Sequence, residues 1–327
     1  MSDPEQIVVT GGTGYVGRAL VRRLWAAGKP VVVLSRSTRL PKDLASLPGV
    51  RAARWDPFAQ GPWTAELEGA SALVHLAGRQ AVGQRYTERV KRDIFESRVK
   101  STETLVTALA CARKKPPVFV CASGVGYFGG RETDHEPLEE TAPPGDDFLA
   151  RVVVAWEARA QAAERLGIRV ISTRFGAVLG RGGGALGVMA LPFKLFVGGP
   201  LGSGQQVFCW VHLDDALAAL ELALGDARVS GPVNVAAPFA VTNAESSQIL
   251  ARALSRPSWL AVPALVLRLI FGEGAVPVLT GQRAYPRKLS ELGFTFRYPT
   301  LAEALAEATA SNPPPRAPLP PAPARRQ

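Results

Sequence analysis

The chain has 327 residues, 47% of them hydrophobic, enough to bury a large core and to build an extended domain of the α/β kind. Its formal charge is +10, but the arginines are spread along the whole chain, and no basic run interleaved with aromatics is present, which argues against nucleic acid as a partner. Cys111, Cys121 and Cys209 are too scattered for a paired zinc site and odd in number for a disulfide framework, so a reducing cytoplasm is the expected compartment and no metal is expected.

The N-terminal "MSDPEQ" is polar rather than basic then apolar, unlike a secretory signal. Ile7, Val8 and Val9 then read as a buried parallel strand, and the glycines of "TGGTGYVG" follow at once. After them Val16, Leu20 and Leu24 recur at helical spacing up to Gly28, and a second apolar run, residues 31–34, follows Pro30. Strand, glycine turn, helix and strand form the unit in which such glycines bind a dinucleotide. Gly12, Gly14 and Gly17 fit the Gly-x-Gly-x-x-Gly spacing, and Gly11, Gly14 and Gly17 fit the Gly-x-x-Gly-x-x-Gly variant. In both, the early glycines allow a tight turn and close approach to pyrophosphate, and the last lets the helix lie near the strand. Gly11, Gly12, Thr13, Gly14, Tyr15, Val16 and Gly17 are therefore candidate cofactor-binding residues.

The second strand ends in "LSRSTRL", with Ser35, Arg36, Ser37 and Arg39, and no acidic residue lies between Glu5 and Asp43. An enzyme that uses NAD holds the ribose 2′-hydroxyl with a carboxylate at this point; a guanidinium flanked by hydroxyls suits a 2′-phosphate. The expected cofactor is NADP(H), with Ser35 and Arg36 at its phosphate.

Further strands are expected over residues 50–56, 71–78, 117–124 and 168–176, with helical patterns over 87–112 and 148–166. Asp56 has two readings: it meets the adenine, or it begins a turn with Pro57. His75, within the fourth strand, reads as a satisfied core or cofactor-edge histidine, and His135 lies in a charged loop. Beyond Gly176, "GAVLGRGGGAL" and "GGPLGSGQQ" read as flexible glycine-rich loops, and "WVHLDDALAALELAL" as a strand or turn followed by a helix that starts with acidic residues. From about Pro238 the chain is mostly helical, broken by Pro257, Pro263, Pro277 and Pro286. Residues 263–281 are apolar, but Arg268, Glu273 and three glycines interrupt them before they could span a bilayer. The expected architecture is a Rossmann-type, doubly wound parallel sheet over residues 1–176, then a smaller, mostly helical substrate cap with late sheet strands over 177–310. Residues 311–327, rich in proline, are expected to be disordered or polyproline-like.

The stretches "VTGGTGYVG", "LVHLAGR", "FESRVKSTETLV", "CASGVGYFG", "RFGAVLGRGGGAL", "GGPLGSGQQVFCWVHLDD" and "ELGFTFRYPTLAEAL" run in an order and spacing that resembles the extended, atypical short-chain dehydrogenases/reductases. More narrowly, the chain looks like the epimerase-family branch with a small helical C-terminal domain. The resemblance implies NADP(H) binding, a substrate pocket between sheet and cap, and a monomer or homodimer. It assigns Leu76, Ala77 and Gly78 after the fourth strand, Arg98, Ser123 and Arg174 to the cofactor's surroundings. Plant relatives in the branch are associated with plastid division, so a regulatory role is a second expectation.

The departures bear on chemistry. Catalysts of the superfamily join a Ser to a Tyr-x-x-x-Lys pair, whose lysine lowers the tyrosine pKa for proton transfer. None of Tyr15, Tyr86, Tyr127, Tyr285 and Tyr298 has a lysine four residues on, and "FLARVVVAW" offers Phe148, Leu149, Val152 and Val153 where the pair belongs. The usual asparagine is replaced by Arg98. Ser123 matches the superfamily serine, and Tyr127 lies four residues beyond it. Tyr127 has two readings: proton donor, or a ring that stacks near the nicotinamide or fills the cap interface. His212 is an alternative acid, or the cap of the helix that follows it. Two functions stand: an NADP(H)-dependent oxidoreductase or epimerase acting on a small carbonyl or hydroxyl substrate, a sugar-linked one among the options, and a non-catalytic NADP(H)-binding regulator of division or redox sensing.

Overall fold

The structure, a computed structural model, describes residues 6–131 and 136–310; His135 and the proline-rich tail lie outside the described residues. The strands are β1 (Ile7–Thr10), β2 (Val31–Ser35), β3 (Val50–Arg54), β4 (Ala72–His75), β5 (Val118–Gly124), β6 (Arg169–Phe175), β7 (Ala177–Leu179), β8 (Val207–Phe208), β9 (Trp210–His212), β10 (Gly231–Val235) and β11 (Val241–Thr242). The helices are α1 (Tyr15–Ala26), α2 (Lys42–Ala45), α3 (Glu88–Glu96), α4 (Val99–Cys111), α5 (Phe148–Gln161), α6 (Gly184–Lys194), α7 (Leu213–Gly225), α8 (Asn243–Leu254), α9 (Ala264–Phe271), α10 (Val276–Leu279), α11 (Arg287–Glu291) and α12 (Leu301–Thr309).

Seven strands form one parallel sheet in the order β10-β6-β5-β4-β1-β2-β3. The β-branched runs explain why both faces are covered. Along β1 and β2, Ile7, Val9, Val31 and Val33 enter one core with α1 and α7, while Val8, Val32 and Leu34 enter the opposite core with α4 and Trp156 of α5. A strand with such alternation, apolar at every position, is stable only between two helical layers. After β1 the chain crosses to β2 on one side, and β4 pairs on the other, with Val9 between Val33 and Val74. That reversal opens a crevice at the carboxyl ends of β1 and β4, the place where doubly wound sheets take ligands.

The helical pattern expected over residues 87–112 is two helices, with Ser97 closing α3 and Arg98 opening α4. A third core, containing Leu186, Phe193, Trp210, Leu250 and Leu305, joins α6, β9, α8 and α12 into the small C-terminal layer. The glycine-rich stretch after β7 is not an open loop. Cβ atoms placed on Gly180 and Gly184 would lie 2.7 Å from Tyr15 Oη and 2.5 Å from Tyr15 Cε1, so these glycines let the backbone close around that ring. Tyr15 begins α1, and the C-terminal layer is thereby seated against the glycine turn.

Candidate active site

The glycine turn is built for close approach. Gly11 has φ +69°, and a Cβ there would lie 2.6 Å from the carbonyl carbon of Leu76, at the carboxyl end of β4. A Cβ on Gly17 would come 2.8 Å from Gly12 Cα, so α1 can pack this tightly only without a side chain. Gly14 caps α1 with no side-chain hydrogen bond and no acidic residue in the first turn. The first amides of that helix therefore face the crevice with a positive dipole end, which suits a pyrophosphate. Thr13 and Gly14 are exposed, and Val16 half-buried behind them.

Ser35 ends β2 beside this turn. Arg36, next in the chain, is exposed and makes no hydrogen bond or ion pair among the described residues. It is thus free to meet an anion, whereas its neighbours Arg18 and Arg22 are both paired with Asp43. Asp56 is exposed past β3 and its carboxylate accepts the Phe58 N–H at 2.9 Å, forming a turn.

Leu76 donates its N–H to Thr10, which ties the end of β4 to the end of β1. His75 is fully buried, with Nδ1 2.6 Å from Thr10 Oγ1 and Nε2 3.3 Å from Ser101 Oγ, and the Trp55 and Trp156 rings stand edge-on to it. Burial, reinforced by the positive charge of Arg98, pushes its pKa down to about 3, so the ring is neutral and structural. Arg98 lies against exposed Gly78, whose added Cβ would be 3.4 Å from the Arg98 Cζ.

Ser123, at the end of β5, donates to Glu157 Oε1 at 2.5 Å. Glu157 in turn accepts from Arg174 Nε at 2.8 Å and Nη2 at 2.7 Å, while Arg174 Nη1 donates to the Glu140 carbonyl at 3.0 Å. Arg174 is 2% exposed, and three of its donors are taken by protein acceptors. Its Cζ stands 3.4 Å from the centroid of the Tyr127 ring. Tyr127 occupies the short turn after β5, half-buried, and its hydroxyl has no hydrogen-bond partner among the described residues. Leu149 of α5 packs against Gly126 of the same turn, so an aliphatic side chain stands beside it.

His212 belongs to a different cluster. Its Nδ1 accepts the Asp214 N–H and caps α7, which leaves the proton on Nε2, facing Glu307 Oε2 at 3.1 Å. With 1% exposure and both nitrogens bonded, it caps α7 and links that helix to α12, the geometry of the helix-cap reading. Glu307 also binds Arg181, within the glycine segment around Tyr15. Two groups escaped the sequence reading. Glu157 follows Trp156 and lies one turn past Val153, on the face of α5 that is buried, and an acid on an apolar face is itself a signal. Tyr86 sits in the connection between β4 and α3, where no periodicity flags it.

Among the described residues no three His, Cys, Asp or Glu side chains are placed to hold a metal. No helix among them is long and apolar enough to cross a membrane.

A seven-stranded Rossmann-type sheet with a glycine cradle at its switch point defines a dinucleotide-binding protein of the short-chain dehydrogenase/reductase kind. Residues 7–236 match the family model described as "NAD dependent epimerase/dehydratase family", and residues 262–308 match a "Domain of unknown function". The chain belongs to the NAD dependent epimerase/dehydratase family. It is 40% identical over 304 residues, 91% of this chain and 85% of the relative, to the chloroplastic epimerase family protein SDR39U1 homologue of Arabidopsis thaliana. It is similar to a crystal structure of the human epimerase family protein SDR39U1 with NADPH, at TM-score 0.80 and 36% identity, covering 93% of this chain and 99% of that one. A nucleoside-diphosphate sugar epimerase from Corynebacterium glutamicum gives TM-score 0.74 and 34% identity over 94% of this chain and 58% of its own.

Proposed function

We propose that this chain is an NADP(H)-dependent oxidoreductase or epimerase-like enzyme acting on a small carbonyl or hydroxyl substrate, with Tyr127 as the group that transfers the proton. The Gly11–Gly17 turn would hold the pyrophosphate and Arg36 the 2′-phosphate, as the human relative crystallised with NADPH supports. When bound, the nicotinamide supplies or accepts the hydride. The protein's own part is to position a phenol next to the reacting oxygen and to pass a proton between them.

The observation that carries this reading is the stack of Tyr127 on Arg174, itself fixed by Glu157, at the carboxyl end of β5. Ser123, spent on Glu157, is then a positioning residue for that stack. The test is a screen of NADPH oxidation over a broad carbonyl panel, followed by Tyr127→Phe. We expect kcat to fall by about 10²–10⁴ with NADPH affinity within a few-fold. Full activity of the variant on a true substrate would remove Tyr127 from its role.

A second reading, a non-catalytic NADP(H)-responsive regulator, is favoured by the aliphatic Leu149 and Val153 on α5 in place of a Tyr/Lys pair. It expects no turnover on the panel and a conformational or partner-binding change between NADPH and NADP⁺. Three free thiols fit a reducing compartment such as the cytoplasm, and a monomer or homodimer acting on small molecules, with neither nucleic acid nor a membrane as partner, fits the scattered charge.

A further inference from the structure

Helix α6 is apolar on two opposite faces. Leu186, Ala190 and Phe193 enter the core of the C-terminal layer. Val188, Leu191 and Leu195 recur at helical spacing on the other side, and all three are exposed. Lys194 is the only charged residue of the helix. A helix with no polar face is normally enclosed on every side, yet the outer face of this one is open.

The chain that follows α6 extends this face and holds it rigidly. Phe196 has φ +63°, a conformation that a bulky residue adopts only at a cost in strain, and its ring is exposed. Trp259 is exposed beside it. Its indole N–H donates to the Phe196 carbonyl at 2.8 Å, and the Trp259 and Leu260 amides donate to the Gly198 carbonyl at 3.1 and 3.2 Å. The guanidinium carbon of Arg256 lies 4.7 Å from the centre of the Phe196 ring. The aromatic pair is therefore fixed in place before anything meets it, which lowers the ordering cost of an association.

We propose that this surface, formed by the outer face of α6 with Phe196, Trp259 and Leu260, is the contact between two copies of the chain about a twofold axis. Its six apolar side chains are between 40% and 67% exposed. Together they present on the order of 700 Å², more than the roughly 300–600 Å² of the largest apolar patch on a typical monomer and close to the about 800 Å² that each partner gives to a standard interface. Contacts between like chains are also the most apolar and the poorest in charge, as this face is. A patch of this kind left open would drive aggregation, so it needs a cover that is always at hand, and a second copy is present wherever the first is. A lipid surface fits less well. A tryptophan that anchors a protein in a membrane interface turns its polar edge to the headgroups, whereas the indole N–H of Trp259 is taken by its own chain. The inference is independent of whether the chain turns over a substrate.

Sedimentation equilibrium of the full chain, over roughly two decades of concentration, reads the association directly. The wild type is expected at twice the mass of one chain. Val188→Glu and Leu191→Glu, which place a carboxylate in the contact, and Trp259→Ala, which removes its largest anchor, should each weaken association at least tenfold. None of the three positions touches the glycine turn, so NADPH affinity should stay within threefold; should one variant lose NADPH as well, the other two decide. A wild type that is monomeric throughout overturns the proposal, and so does a dimer that all three variants leave intact, since the copies would then meet through another face. Monomeric protein that floats with vesicles of phosphatidylglycerol and phosphatidylcholine, and loses them on Leu191→Glu, would also overturn it and assign the face to a lipid surface.

Discussion

The guanidinium carbon of Arg174 lies over the Tyr127 ring, 3.4 Å from its centroid, and is held there by a two-pronged bond to Glu157. Cation and ring face attract, and the pair is sheltered from water, so the ring's orientation depends on a carboxylate it does not touch. Glu157→Gln leaves the buried guanidinium without its countercharge. Breaking a buried pair in this way typically costs about 3–5 kcal/mol. Urea melts should show a loss of that order, and turnover should fall with NADPH affinity unchanged. A loss under about 1 kcal/mol would mean that the guanidinium is held by the Glu140 carbonyl and the aromatic rings alone.

Arg36 should decide between the two dinucleotides. It is exposed, without a partner among the described residues, and no carboxylate stands at the end of β2 to hold a ribose hydroxyl. Wild-type protein should bind NADPH at least tenfold more tightly than NADH, and Arg36→Ala should abolish most of the difference. The expectation follows from about 1.5–3 kcal/mol for a hydrogen bond to a charged group. Equal affinities in fluorescence titrations of the wild type would refute it.

Stability against pH is expected to reflect two buried groups of opposite sign. His75 has its pKa pushed down to about 3, so below pH ~6.5 the unfolded chain takes up a proton that the folded one refuses, and stability falls with pH. Asp215 is raised to about 6, chiefly by burial, although the amides of Arg297 and Tyr298 bond its carboxylate and pull the other way. Between pH ~6 and ~3.8 the folded chain takes up the extra proton, so this group adds stability as pH falls. The two slopes nearly cancel in that window. Asp215→Asn removes the second, and its stability should drop by about 1.4 kcal/mol per pH unit from pH 6 to 4, more steeply than the wild type. Parallel urea-melt profiles for the two proteins would contradict this.

The nucleotide half was legible because its signals are local. Ile7 to Val9 could form only a buried strand, and the glycines after them answer to steric limits within a few residues. The satisfied state of His75 was legible as well, since a histidine inside an apolar strand must be neutral. The orphaned hydroxyl of Tyr86 was not, because it is buried without a partner only where the turn around Gly274, far along the chain, closes over the ring. The stretch after β7 was misread for a similar reason. Glycine is ambiguous between freedom and close approach, and the ring of Tyr15 that resolves it lies more than 160 residues earlier.

His212 offers a last discrimination. The sequence leaves it as either an acid or a helix cap, and the geometry gives it the Asp214 amide on one nitrogen and Glu307 on the other, under the Tyr298 ring at 4.0 Å. Asn is among the best N-cap residues, because its short side-chain oxygen can accept the same helix amide, but it is too short to reach Glu307. His212→Asn should therefore keep the start of α7 and lose the cross-link to α12, at a cost of about 2 kcal/mol in denaturant melts. Glu307 would retain Arg181, so the glycine segment around Tyr15 should stay in place and NADPH affinity should change by no more than a few-fold. On any carbonyl substrate turned over by the wild type, kcat should likewise remain within a few-fold. A proton-transfer group would show about 10²–10⁴ instead, with stability little altered, and that outcome would move the chemistry from Tyr127 to His212.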